Sequence, residues 1–249
     1  MTQTRPTRDT WLCRAARFSW FTVPSANSDT GTWFQDVVGF PPDQSTKSPR
    51  TAVQEDIGPD PLGIVVLHRD PLRIDWLVSS ESPDGTSNVS LVAAHSRLGE
   101  IVRRWVDVPG LPVSTRLAVG YSLQYPAKDR EGAYALLKQL LPAFSTIDGR
   151  ASSDFIYQIN RRRKSSINPM LEINRLSRWH ATLAVQTQFR ATPTGPIPSE
   201  TQAQHFASVD LDINTQPEFS GTFAPSQAPA FFDELTSMAV EIAQSGDIA

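Results

Sequence analysis

The chain has 249 residues, 39% of them hydrophobic, and carries 23 Lys and Arg against 26 Asp and Glu for a net charge of −3. That balance excludes a globally basic nucleic-acid protein, and six tryptophans with twelve phenylalanines exclude a disordered chain. The single cysteine, Cys13, excludes an internal disulfide and a multi-cysteine zinc site.

The N-terminus lacks an apolar signal-peptide core, and no run approaches the roughly 18 apolar residues of a membrane helix. A soluble, cytoplasmic, bacterial-type protein with no membrane contact is expected, in keeping with a lone thiol. Twenty prolines against 13 glycines point to long, proline-marked loops.

In chain order, Trp11 to Val23 reads as a first strand interrupted by Arg14 and Arg17. Asp29 and Thr30 offer N-cap oxygens to a short helix that ends at Gly39, with Trp33, Phe34, Val37 and Val38 on its buried side. Phe40 to Pro61, rich in Pro, Asp, Ser and Thr, reads as a long surface loop. Gly63–His68 and Leu72–Ser79 form a hairpin around Arg69-Asp70-Pro71, and Pro83-Asp84-Gly85 marks a turn. The helix that follows buries Leu98, Ile101, Val102 and Trp105 and ends at Pro109-Gly110.

Pro112 to Tyr125 is the clearest strand of the first half, with Val113, Leu117, Val119, Tyr121, Leu123 and Tyr125 on one face. Ala118 and Gly120 on the other face are expected to admit a helix. Lys128 to Leu141 is that kind of helix, stopped by Pro142.

Asp154 to Phe189 then reads as a long β-hairpin. Phe155, Tyr157 and Ile159 alternate with polar neighbours, and the period resumes at Leu171, Ile173, Trp179, Ala181, Leu183 and Val185. The triplet Ile-Asn-Arg at 159 and 173 fits hairpin symmetry. Thr192 to Gln204 reads as a proline-rich loop, Val209 to Asn214 as a third strand, and Ala228 to Gln244 as a closing helix with Phe231, Leu235, Met238 and Ile242 inside.

The order favours an α+β fold: mainly antiparallel sheet with about four helices packed on one face. It divides into an N-terminal lobe (1–110) and a C-terminal lobe (111–249), which are either two similar lobes or one continuous domain. The runs LPVSTRLAVGYSLQY, DFIYQINRRRK, EINRLSRWHATL, VDLDINT and FFDELTSMAVEIA resemble an uncharacterised, sporadically distributed family of bacterial proteins of about this length, marked by an LDID-like strand. The resemblance implies an α+β fold and brings no activity and no catalytic residues.

Two constellations carry chemistry. Arg161, Arg162, Arg163 and Lys164, with Arg175 and Arg178 across the turn, would grip phosphates, and Tyr157, Trp179 and His180 would stack on bases. The simpler reading pairs these cations with Glu172, Asp210 and Asp212 at a solvated hairpin end. With the three strands as neighbours, Asn160, Arg162, Asn174, Arg178, His180, Asp210 and Asp212 share one polar face, and Asp210, Asp212 and His180 on it are the weaker candidates for a Mg²⁺ site hydrolysing phosphodiesters.

The remaining histidines show no metal-ligand spacing, Ser122 lacks a nucleophile elbow, and both GxGxxG and GxxxxGK[ST] are absent, so no cofactor is expected. The leading expectation is a non-catalytic binding or accessory protein, with a protein partner encoded by a neighbouring gene. Nucleic-acid binding through the Arg161–Lys164 hairpin and a metal-dependent phosphodiesterase are the alternatives.

Overall fold

The computed structural model describes residues 6–23, 32–80, 86–141, 154–192 and 195–247, side chains at 186 and 188–201 excepted. Asp29, Thr30, the Pro83-Asp84-Gly85 turn and Pro142 lie outside the described residues.

The first half runs β1 (Leu12–Thr22), α1 (Trp33–Val38), β2 (Gln44–Ser48), β3 (Val53–Asp60), β4 (Gly63–Asp70), β5 (Arg73–Ser79) and α2 (Leu91–Trp105). The second runs β6 (Ser114–Ala127), α3 (Arg130–Leu140), β7 (Ile156–Asn160), the two-residue β8 (Arg163–Lys164), β9 (Glu172–Thr192), β10 (Gly195–Thr215) and α4 (Ala228–Ser245). The fold is α+β. All ten strands belong to one antiparallel sheet, ordered β2-β3-β4-β5-β1-β6-β10-β9-β7 with β8 also on β9. Each half contributes a strand, a helix, four more strands and a helix. The two leading strands, β1 and β6, meet at the centre.

The period of two decides which face is covered. Ala16, Phe18 and Trp20 of β1, Leu117, Val119, Tyr121 and Leu123 of β6, and Val209, Leu211 and Ile213 of β10 share one face. All of them are buried under the four helices. Trp105, the last residue of α2, is the hub. Its ring lies 5.4 Å from Trp20, 6.2 Å from Phe18, 6.4 Å from Trp33 and 6.5 Å from Trp76, centroid to centroid. Three of these contacts are with strands and one is with α1, so α1, α2, β1 and β5 are fixed by one indole. Helix starts are capped as their sequences require: Ser90 Oγ accepts from Ala93 N–H at 3.2 Å, and Asp129 accepts from Gly132 N–H at 2.8 Å.

Three expectations are corrected. The stretch from Phe40 to Pro61 holds two strands, β2 and β3, rather than a loop. The core-facing positions of β3 are Gln54, Asp56 and Gly58, so the apolar alternation that signals a strand is missing. Asp56 is buried and receives a hydrogen bond from Arg69 at 2.7 Å and one from Ser45 at 2.6 Å, and the Arg69 guanidinium lies 5.8 Å from the centre of the Trp33 ring. Burial lowers the Arg69 pKa, and the Asp56 carboxylate opposes that shift. At Gly58 an added Cβ would stand 2.9 Å from the Phe34 ring, so α1 rests directly on backbone there.

The stretch from Thr192 to Gln204 is likewise not a loop. β9 and β10 are each 21 residues long and pair through it. Finally, no described helix packs on Ala118 and Gly120. They lie on the face of β6 opposite the helices.

The meander β3-β4-β5 turns on two copies of Asp-Pro-Leu. Asp60 accepts from Leu62 N–H at 3.0 Å and Asp70 from Leu72 N–H at 2.8 Å. No helix among the described residues is long and apolar enough to cross a membrane.

Candidate functional site

The basic cluster divides between two faces. Arg161 and Arg163 belong to the helix-covered side, where α4 ends. Arg161 donates to Asp247 at 2.5 and 3.0 Å, and Arg163 forms a two-pronged pair with Glu241 at 2.6 and 2.8 Å. Arg175 is 2% exposed and lies 3.4 Å from the same Glu241. Tyr157 donates its phenol to Asp247 at 2.5 Å.

These contacts set the titration. The Arg161 hydrogen bond holds the Asp247 carboxyl below its ordinary range, and Arg163 does the same for Glu241. Burial, reinforced by the Asp247 carboxylate, pushes the Tyr157 phenol up to about 12. Burial and the neighbouring Arg163 lower the Arg175 pKa.

The arginines therefore pair, but mostly with the C-terminal helix and tail. Of the three carboxylates named from sequence, Glu172 alone takes one of them, Arg162, at 3.5 Å. Lys164 and Arg178 are exposed. Trp179 is a correction. It is fully buried, packs edge-on to Trp11 at 6.4 Å and donates to Ser177 Oγ at 3.0 Å, so it offers no ring to a base.

Arg178, His180, Asp210 and Asp212 stand on the other face of the sheet, which no described helix covers. Strand register lays this face out in rows. One row runs Ala15, Ser122, Asp210, Arg178; the next runs Leu77, Arg17, Gly120, Asp212; a third runs Asp75, Ser19, Ala118, Asn214, Asn174. The central strands contribute Ala15, Ser19, Ala118, Gly120 and Ser122, all small, so a shallow trough follows β1 and β6. Arg17 reaches across it. A Cβ added at Gly120 would sit 3.4 Å from the Arg17 guanidinium.

Side chains around the trough form a polar network. Asn160 donates to Asn174 at 3.0 Å, Asn174 to Asn214 at 3.0 Å, and Asn214 to Asp212 at 3.0 Å, while Arg116 donates to Asn214 at 2.8 Å. The repeated Ile-Asn-Arg thus places two asparagines that meet side by side. Arg73 and Arg116 hold their guanidiniums 5.9 and 4.9 Å from the centre of the Phe21 ring.

Several polar atoms here are buried without a hydrogen-bond partner: Ser19 Oγ, Arg17 Nε, Arg116 Nε, one oxygen of Asp75 and His180 Nδ1. Buried polar groups are normally satisfied, and atoms of this kind occur on the helix-covered side as well, at Trp76, Trp105 and Arg175, so they do not single out this face.

Asp210 accepts from Ser122 at 2.8 Å and lies 3.9 Å from His180. Burial lowers the His180 pKa, and the carboxylate only partly opposes the shift. Among the described residues no three His, Cys, Asp or Glu side chains group as metal ligands do. A separate groove of about 300 Å³ between α2 and α4 is lined by Leu91, Val92, His95, Asp233 and Val240, and Asp233 there is already paired with Arg103 at 3.0 Å.

No family model matches this chain, and no curated protein or solved structure matches it. The geometry above is therefore what bears on function.

Proposed function

We propose that the protein is a non-catalytic binding or accessory protein of the cytoplasm that holds a protein partner on the helix-free face of its sheet. The carrying observation is the trough of small residues along β1 and β6, ringed by charged and amide side chains on the face that no described helix covers. Sign balance favours a protein over a nucleic acid. Arg17 and Arg178 stand beside Asp210 and Asp212 in adjacent rows, so a phosphate backbone laid there would meet two carboxylates together with the cations. A protein surface, which carries both signs, complements such a pattern. The phosphate grip read from Arg161–Lys164 draws less support, because Arg161 and Arg163 already hold carboxylates. Among the described residues Asp210, Asp212 and His180 gain no further acidic ligand, which weighs against a phosphodiesterase.

The test is affinity capture with and without nuclease, using wild type, Ser122→Trp in the trough and Ala135→Trp on the exposed side of α3. The expected result is a protein that survives nuclease, is retained by Ala135→Trp and is lost with Ser122→Trp. Capture that vanishes with nuclease, or that ignores the trough substitution, rejects the reading.

A further inference from the structure

The cluster beneath the end of α4 carries a surplus charge. Arg161 takes Asp247 at 2.5 and 3.0 Å, and Arg163 takes Glu241 at 2.6 and 2.8 Å. Arg175 is 2% exposed and meets Glu241 at 3.4 Å, too far for a strong hydrogen bond. The charged groups that act on its guanidinium are Arg161, Arg163, Glu241 and Asp247, two of each sign. Arg175 is therefore the third cation beside two carboxylates. The C-terminal end of α4 adds roughly half a negative charge, which is less than the surplus.

Two nitrogens of this guanidinium, Nε and Nη2, are buried and find no acceptor among the described residues. Trp76 and Trp105 also bury an N–H without an acceptor, but they carry no charge. Arg69, likewise buried, has Asp56 at 2.7 Å. A buried charge left in this state is costly. Against the same guanidinium lies a cavity of about 10 Å³, with Ile159 and Ile242 as apolar walls and Arg161, Arg175, Ser177 and Asp247 as polar ones. That is about the space of one water molecule. Ser177 Oγ accepts from Trp179 Nε1 at 3.0 Å, so its own proton is left to donate. Both oxygens of Asp247 are engaged by Arg161 and Tyr157, which answers the negative charge on that wall.

We propose that this cavity binds one halide ion, chloride in ordinary salt, between the Arg175 guanidinium and the Ser177 hydroxyl. A monovalent anion cancels the surplus charge, which a water molecule cannot do. It also gives the guanidinium nitrogens and the Ser177 proton an acceptor at a single point. Size sets the ligand class. Chloride is little larger than water, whereas phosphate and sulfate carry four oxygens and exceed the cavity. The site lies under α4, on the face of the sheet opposite the trough, so either assignment stands if the other fails.

Urea unfolding of the full chain in mixtures of sodium chloride and sodium fluoride at constant ionic strength reads the binding. Fluoride holds its hydration shell too tightly to enter such a cavity. Above the dissociation constant, each ten-fold rise in chloride is expected to raise the wild-type folding constant about ten-fold. Arg175→Met is expected to ignore the exchange of fluoride for chloride. Crystals grown in sodium bromide are expected to show an anomalous-scattering peak between Arg175 and Ser177. A wild-type chain indifferent to chloride overturns the proposal, as does an equal response in Arg175→Met. A cavity that shows no bromide peak overturns it as well, and assigns the space to water. Should Arg175→Met fail to fold, the bromide position decides alone.

Discussion

Arg175 occupies a position where the alternation of β9 calls for an apolar residue, between Ile173 and Ser177 on the covered face. Its charge is buried, and the carboxylate it meets among the described residues, Glu241, is shared with Arg163. Desolvation of an underpaired cation outweighs so long a contact. Arg175→Met is therefore expected to leave stability unchanged or raise it. Glu241→Gln is expected to cost about 1–3 kcal/mol, because it leaves two guanidiniums uncompensated and one of them is buried. Urea unfolding of the two variants checks both signs.

The pH dependence follows from the same residues. Asp247 and Glu241 have depressed folded-state pKa values. Their contribution is present above the unfolded carboxylate range and is lost as pH falls through the folded values, below about 4. His95 and His180 are also depressed, chiefly by burial, so the folded state resists their protonation. Stability is expected to start falling near pH 6.5 and to fall again below 4. In the double variant His95→Asn/His180→Asn the upper phase should shrink in a pH series of melting curves. The sequence made Arg161 and Arg163 visible as an anomaly but not their partners, since Glu241 and Asp247 lie about 80 residues further along. Trp179 was legible: its place among Ile173 and Ala181 puts it on the covered face, and only its nearness in sequence to arginines suggested otherwise.

Among the elements, those with a full apolar stripe were readable. α2, α3, α4, β5 and β6 each repeat large apolar residues at the period of their structure, because they lie at the middle of the sheet or directly on it. The strands that escaped detection are those whose inner positions are not apolar. β2 is polar on both sides, and β3 turns Gln54, Asp56 and Gly58 inward. The far half of β10 was hidden by Pro196 and Pro198, residues that an edge strand tolerates and a central strand does not. The hub of the helical layer gives a further prediction. Trp105→Ala removes the ring shared by Phe18, Trp20, Trp33 and Trp76 and is expected to cost about 3–5 kcal/mol. The loss should appear as one cooperative transition at a lower denaturant midpoint.

At the scale of the molecule, stability runs downhill from the centre. β1 and β6 are paired on both edges and roofed by α2 and α4, whereas β9 after His180 and β10 before His205 pair with each other and with no other described strand. Amide hydrogen exchange is expected to be slowest at Ala16–Trp20 and Leu117–Tyr121 and fastest along Ala184–Thr192. The polar residues that β7, β9 and β10 give to the helix-free face were legible from the period of two, but the trough beside them on β1 and β6 was not. Those polar residues sit in the phase that any solvated sheet would give to water, and only the register shows that they surround a trough of small side chains.

The junction of the two halves has its own consequence. Ten residues of β1, from Leu12 to Thr22, find partners on β6, and the covalent link between the halves passes through Pro109-Gly110 at the surface. Severing the backbone there leaves 1–110 and 111–249 each with a bare flank cut to the other's shape. Synthesised apart, the two pieces have a built-in reason to find each other, and fused to two other proteins they would report when those proteins come within reach.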